Sequence, residues 1–324
     1  MPPPPLRVPP RPRRRYAPRL ALGGLLLLAI LVVAAFGLRE PRVGGRTMAE
    51  WLDSLGSTSS ADLRATLETS PARQELAKLG PAAVPALSRE LKRTGAFLQS
   101  QRTRYLQRSR VWVHLGDLLP HRFGIPRPEI DQDVETWAPA RLFWASALLV
   151  SLAPDPALGL AHLNAATASL PPGMDLEASS GFRALRDTNG VLSAALTQHL
   201  RAGPKARRPF WVSCLGNLGP QPATEIDLVR ALARDPEPNL RGEAIKALGS
   251  IDTREDACAY LVACATDPVG RQAVMIALKR LGPRALPAEA LIRETLKDPD
   301  MLTSLFAKFA LEGLLPATNT TPHP

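Results

Sequence analysis

Two short signatures recur through the C-terminal half of this chain at nearly one interval, and they limit its fold more than any other feature. Leu218-Gly219-Pro220, Leu248-Gly249 and Leu281-Gly282 are spaced by 30 and 33 residues; Asp235-Pro236, Asp267-Pro268 and Asp298-Pro299 by 32 and 31. Two independent markers that keep one period define a structural repeat. Between them, apolar residues fall at i, i+3, i+4 and i+7. Leu240, Ala244, Ile245, Ala247 and Leu248 form one such set, and Ala257, Tyr260, Leu261 and Cys264 the next, so each unit is predicted to be two amphipathic helices. Glycine after the first helix permits the left-handed backbone that satisfies terminal carbonyls. Proline beyond it cannot continue that helix but suits the start of another. Asp-Pro is read as closing the second helix and turning the chain into the next hairpin. One hairpin cannot bury its own apolar faces, so neighbouring units must stack.

The composition agrees. Residues are 45% apolar but only 5% aromatic, and small or straight-chain apolar side chains suit helix on helix better than a sandwich or barrel. The segments Asn239–Ile251 and Gly270–Pro283 resemble the first helix of a HEAT unit, and Leu76–Leu91, with Pro85 inside the second helix, resembles another. The resemblance covers about 76–93 and 206–314. It implies an all-α, right-handed α-solenoid of HEAT-like hairpins. It also implies that Arg241 and Arg271 occupy the position of a basic residue that, with a preceding aspartate, ties neighbouring repeats, Asp235 and Asp267 being the partners. That tie is structural, not catalytic.

The solenoid is expected over 61–315. Trp137–Leu170 reads as a degenerate hairpin turning at Pro154-Asp155-Pro156, 178–202 as a further hairpin, and Met301–Leu315 as a closing helix. Residues 93–136 break the repeat as an irregular insertion. Arg93, Arg102, Arg104, Arg108 and Arg110 with Tyr105 and Trp112 precede Glu129, Asp131, Asp133 and Glu135. That pattern fits a docking element for headgroups or an acidic partner. It fits better an extra helix whose arginines are solvated while Leu98, Leu106, Val113 and Leu119 pack on the solenoid, the ordinary state of a basic helix face.

Ahead of the repeats lies Leu20–Leu38, nineteen residues without a charge. At 1.5 Å per residue they span roughly 28 Å, close to the hydrocarbon thickness of a bilayer. The expectation is one transmembrane helix over 20–38. A disordered Pro/Arg-rich tail (1–19) precedes it, a linker with a short helix (39–60) follows, and a disordered tail (316–324) ends the chain. Thr47 to Glu50 has the spacing of a capping box opening the short helix. Arg13, Arg14, Arg15 and Arg19 outweigh the flank after the segment, so the N-terminus is expected in the cytoplasm and the solenoid outside it. Cleavage as a signal peptide near Val33–Gly37 is the alternative, giving a secreted or periplasmic domain; the apolar run is longer than the usual signal core. Six arginines and no acid in residues 1–19 carry +6 of the net +10. The folded part therefore lacks the dense basic face of a duplex-binding domain, and no nucleic-acid partner is expected. The layout of membrane segment, short WL-containing helix and HEAT-like units also resembles bacterial membrane-anchored HEAT repeat proteins, a group with no known common activity.

Chemistry is hard to find. His114, His121, His162, His199 and His323 show no metal-ligand spacing, and Cys214, Cys258 and Cys264 form no CxxC. All three cysteines are expected as small buried side chains. No GxSxG, Walker-type loop or GxGxxG is present. No catalytic, cofactor-binding or metal-ligating residues are assigned, and no small-molecule substrate or cofactor is expected. The reading is a non-catalytic, membrane-anchored protein-binding or scaffolding module. Its partner is expected on a concave face lined by second helices, around Leu87–Lys92, Asp227–Arg234, Ala257–Thr266 and Glu289–Lys297. The alternatives are a HEAT-like enzyme of lyase type and a cytoplasmic nucleic-acid-binding HEAT-like protein.

Overall fold

Proline at a helix start and a polar side chain just before it set most of the boundaries in this chain. A computed structural model describes residues 42–56, 62–116, 132–170, 174–187 and 189–314, with their side chains except at 105–116 and 132–136. The tail 1–19, the apolar segment 20–38, the acidic half of the 93–136 segment up to Asp131 and the tail 316–324 lie outside the described residues. The chain divides into two units, 1–47 and 48–324. In the first, Val43 and Arg46 exchange main-chain hydrogen bonds of 2.9 and 3.0 Å around Gly44-Gly45, both at positive φ. The second contains helices and no strand among its described residues.

Its helices are α1 (Met48–Asp53), α2 (Leu63–Thr69), α3 (Pro71–Lys78), α4 (Ala83–Gly116), α5 (Gln132–Ser151), α6 (Pro156–Thr167), α7 (Met174–Ser179) and α8 (Val191–Ala202). They continue as α9 (Arg208–Leu218), α10 (Ala223–Leu232), α11 (Pro238–Ile251), α12 (Ala257–Ala263), α13 (Pro268–Leu281), α14 (Glu289–Thr295) and α15 (Met301–Leu314). The short helix predicted after the linker is α1. The turn at Pro154-Asp155-Pro156 separates α5 from α6, with Asp155 capping α6. Residues 178–202 do not form a hairpin of their own. They pass from α7 through a 3-10 corner (Ser180–Ala184) into α8, which packs on α6 and α9. The insertion expected from 93 begins inside a helix, since α4 runs from Ala83 through that point to Gly116. Leu98 is buried as expected, and Arg102 pairs with Glu177 of α7 at 3.2 Å.

Asp-Pro opens helices more than it closes them. Asp267 caps α13, accepting from the Gly270 N–H at 2.8 Å, with Pro268 in the first turn. Asp235 and Asp298 instead accept from the N–H two residues on, at 2.9 Å each, and leave capping to Glu237 and Asp300. The sequence pattern cannot separate these cases, because an aspartate satisfies either geometry.

The Leu-Gly marker also hides two different causes. Gly219 and Gly282 end helices at φ of 98° and 64°, as predicted. Gly249 lies within α11, and there the cause is contact. A Cβ on it would fall 2.3 Å from the Ala277 carbonyl oxygen and 2.6 Å from the Ala277 Cα of α13. Gly216 of α9 is as close to α11, where a Cβ would lie 2.9 Å from the Ala247 Cα. The first helices α9, α11, α13 and α15 thus form one closely packed layer, each against the next, with α10, α12 and α14 on its other side. Gly and Ala at the crossings let the axes approach, and dispersion between the touching backbones holds them.

The tie between repeats reaches forward, not back. Arg241 pairs with Asp267 of the following unit at 3.0 Å, and Arg271 with Asp298 at 2.9 Å. Asp235 offers Arg241 only its main-chain carbonyl, at 2.9 Å. The expected pairing of Arg241 with the Asp235 carboxylate, and of Arg271 with that of Asp267, is therefore replaced by pairing across the unit boundary. These pairs are partly exposed, so Arg241→Ala is expected to cost about 1 kcal/mol in urea unfolding, most of it from the lost hydrogen bonds. No loss at all would mean that the tie is not stabilising.

The caps of the last unit are expected to make it acid-sensitive. The Asp298 carboxyl is held below the usual range by the Asp300 N–H and then by Arg271, and the Asp300 carboxyl by the Thr303 hydroxyl and N–H. A depressed folded-state pKa adds stability above the ordinary carboxylate value of about 3.9, and this is lost as pH falls through the lowered values. The melting temperature is expected to drop below about pH 4. Asp300→Asn keeps a capping oxygen and should flatten that drop; an unaltered slope would assign the acid sensitivity elsewhere.

Two aromatic pairs anchor the interior. Phe143-Trp144 of α5 and Phe210-Trp211 of α9 are buried, each pair edge to face at 4.7 Å. The Trp144 indole donates to the Gly56 carbonyl at 3.0 Å, and Trp211 stacks on His199. Arg141 joins α1, α4 and α5: it binds Asp53 at 2.6 Å and Glu90 at 3.4 Å and lies over the Trp137 ring.

Candidate functional site

The close packing of α9, α11 and α13 leaves only short side chains along one edge of the layer, and a groove of about 600 Å3 runs there. Ser213 and Asn217 stand one turn apart on α9, Ser250 ends the same path on α11, and Arg280 enters from α13. Leu176, Ser180 and Arg183 close the groove from α7 and the 3-10 corner. Gly216 lies in its floor, held side-chain-free by Ala247.

The polar groups are partly pre-arranged. Ser179 and Ser213 hydroxyls lie 2.8 Å apart, and the Asn217 amide donates to Ser179 Oγ at 3.3 Å. Arg280 Nη1 donates to the Lys246 carbonyl at 3.1 Å, and Arg183 Nε to the Ser180 carbonyl at 3.4 Å. Neither guanidinium forms a salt bridge among the described residues. Arg183 lies 5.4 Å over the Phe143 ring. Desolvation by the groove walls lowers the pKa of both. For Arg280, Glu243 opposes that effect and the positive charge of Arg183 adds to it. Two like charges line one recess, both side chains exposed and each making one hydrogen bond to a main-chain carbonyl.

The second helices, where a partner was expected, are different. Several of their charged side chains are engaged with neighbours. Arg230 of α10 binds Asp252 at 2.7 Å and Asp256 at 2.6 Å, and its main-chain carbonyl accepts the Tyr260 hydroxyl of α12 at 2.6 Å. Arg293 of α14 binds Glu289 at 2.7 Å, and Glu90 in the Leu87–Lys92 stretch of α4 binds Arg141 at 3.4 Å. Asp227–Arg234, Ala257–Thr266 and Glu289–Lys297 fall on α10, α12 and α14 with their flanks. No sequence signal marked the groove, because its residues are spread from 176 to 280 and carry no motif.

Of the histidines, His162 lines an apolar recess with Pro81, Val84 and Leu158, while burial lowers the pKa of His199 against Trp211. The side chains of His114, His121 and His323 are outside the described residues. Cys214 and Cys258 are buried as predicted; Cys264 is only half-buried, a correction that follows from its place at the end of the short helix α12. Burial pushes all three thiols up, Cys214 most. Among the described residues no group of His, Cys, Asp or Glu is placed to hold a metal ion.

Residues 193–279 match the family model described as HEAT repeats. That span runs from α8 to α13 and takes in both Arg241 and the 213–250 part of the groove. No curated protein matches the chain. The described residues form an all-helical α-solenoid that is similar to HEAT repeats over 193–279. Among the described residues no helix is long and apolar enough to cross a membrane, and the segment 20–38 is not among them.

Proposed function

We propose that this chain is a non-catalytic scaffold that docks another protein on its stacked repeats and is held at a membrane by residues 20–38, with the repeats outside the cytoplasm. HEAT repeats commonly mediate protein–protein contact, and stacked helices offer an extended surface without a deep pocket. The observation that carries the reading is the groove along α9, α11 and α13. It presents two arginines that form no salt bridge among the described residues, just outside the stretch that matches HEAT repeats, beside small polar side chains of which Ser213, Asn217 and Ser250 lie within it. The membrane part of the reading rests on the uncharged length of 20–38 and the arginines before it. An enzyme of lyase type has no assigned residues to support it. A nucleic-acid binder has too little charge on the folded part.

A photo-crosslinking residue in place of Ser250, in native membranes, tests docking against the same residue in place of Glu312. One recurrent partner protein captured at Ser250 and not at Glu312 is expected. Capture at both or at neither removes the groove from the proposal. A reporter enzyme that is active only outside the cytoplasm, fused after Pro324, tests the orientation. An inactive fusion that is well expressed would place the repeats on the cytoplasmic side.

A further inference from the structure

The groove's own chemistry narrows the class of partner. Arg183 and Arg280 bring positive charge into one recess, and neither has a salt-bridge partner among the described residues. The acid that acts on Arg280 is Glu243, and it is engaged by Lys246 at 2.8 Å. Most charged groups around the site are already paired. Arg207 binds Asp175 at 3.0 Å, Arg102 binds Glu177 at 3.2 Å and Arg254 binds Asp227 at 2.7 Å. Two unpaired cations sharing one recess are what a complementary ligand would neutralise.

We propose that the groove between Arg183 and Arg280 receives an extended acidic segment of the partner protein, its carboxylates meeting the two guanidiniums. The inference rests on the protein-docking reading above and adds the chemistry of the occupant. Guanidinium forks match carboxylates in a bidentate way, and each arginine keeps N–H groups beyond the one fixed to a main-chain carbonyl. Ser180, Ser213, Asn217 and Ser250 supply hydroxyl and amide groups that suit a main chain lying along the floor. No large apolar side chain lines the part built by α9, α11 and α13, so an anchor of aromatic or branched side chains would find no pocket there. The small floor residues are fixed by the packing of the layer, since Gly216 has no room for a side chain against Ala247. A nucleic-acid strand would need a run of cations that tracks its backbone, and this recess has two.

The full chain, in non-ionic detergent, is titrated into fluorescein-labelled decaglutamate, decaglutamine and decalysine while anisotropy is followed. Decaglutamate alone is expected to bind, more weakly as salt rises. Arg183→Gln with Arg280→Gln should weaken it at least about tenfold, as expected for losing two charge-assisted contacts. The pair Arg201→Gln with Lys297→Gln, both exposed and away from the groove, should leave it within about twofold. Unaltered thermal unfolding of each variant shows that the fold survives. Equal loss in both pairs would mean diffuse attraction to a basic protein and overturn the inference. So would failure of decaglutamate to bind better than decaglutamine. If crosslinking at Ser250 still captures a partner in that case, docking stands and only its acidic chemistry falls; if both fail, docking falls as well.

Discussion

Replacing Gly249 by valine is expected to destabilise the chain by about 3 kcal/mol or more, while Gly242→Ala in the same helix stabilises it by about 0.5 kcal/mol. The first substitution drives a branched side chain into the main chain of α13, where even a Cβ would sit 2.3 Å from the Ala277 carbonyl oxygen. Backbone cannot step aside as a side-chain tip can, so α11 and α13 must separate and lose contact along their length. A Cβ on Gly242 meets only Val269 Cγ1 at 3.5 Å, an ordinary contact. There alanine gains helix propensity at no steric cost. Urea unfolding of both variants checks the pair, and similar effects of one sign would contradict the close-packed layer.

The second large effect concerns Arg230. The Asp252 side chain is only 1% exposed and accepts Arg230 Nη2 at 2.7 Å, Arg230 Nε at 2.8 Å and the Arg254 N–H at 3.1 Å. Arg230→Met removes the cation and leaves a buried carboxylate without its counter-charge, a change expected to cost about 3–5 kcal/mol. The exposed contact with Asp256 adds little to that figure. Arg230→Met combined with Asp252→Asn should recover a substantial part, because the neutral amide needs no counter-charge. If the double variant is no more stable than the single one, the loss comes from packing of the arginine stem against Tyr260 and not from the buried charge.

Arg230 and Gly249 also show where sequence reasoning stops. The repeat was legible because helix punctuation is local. Proline in a first turn, aspartate before it and apolar residues at helical spacing each act within a few residues. What is not local was invisible or mistaken. Leu248-Gly249 looks like Leu218-Gly219 and Leu281-Gly282 in one dimension, yet its glycine answers to Ala277, a residue of the next unit. Sequence proximity pairs Arg241 with the aspartate just before it, whereas the geometry gives it the one at the start of the following unit. Register between stacked units decides both, and no spacing within one unit encodes that register.

The groove was hidden for the same reason. Arg183 and Arg280 are nearly a hundred positions apart, and neither stands out among the many arginines of this chain. They matter because α9, α11 and α13 lie close enough to bring them to one recess without intervening bulk. In sequence, by contrast, arginines cluster over 93–110. The fold runs that stretch as the continuation of α4 and ties Arg102 to Glu177. Dense charge along one helix is often solvated or paired. Two cations fixed by a scaffold are the stronger mark of a binding surface.

Hydrogen exchange of the full chain, alone and with its crosslink-identified partner bound, tests the docking account most directly. Added protection is predicted in peptides covering 213–219, 246–251 and 277–281, the groove edges of the first-helix layer. Protection confined to the second helices, over 257–266 and 289–297, would contradict it and return the partner to the opposite side of the stack.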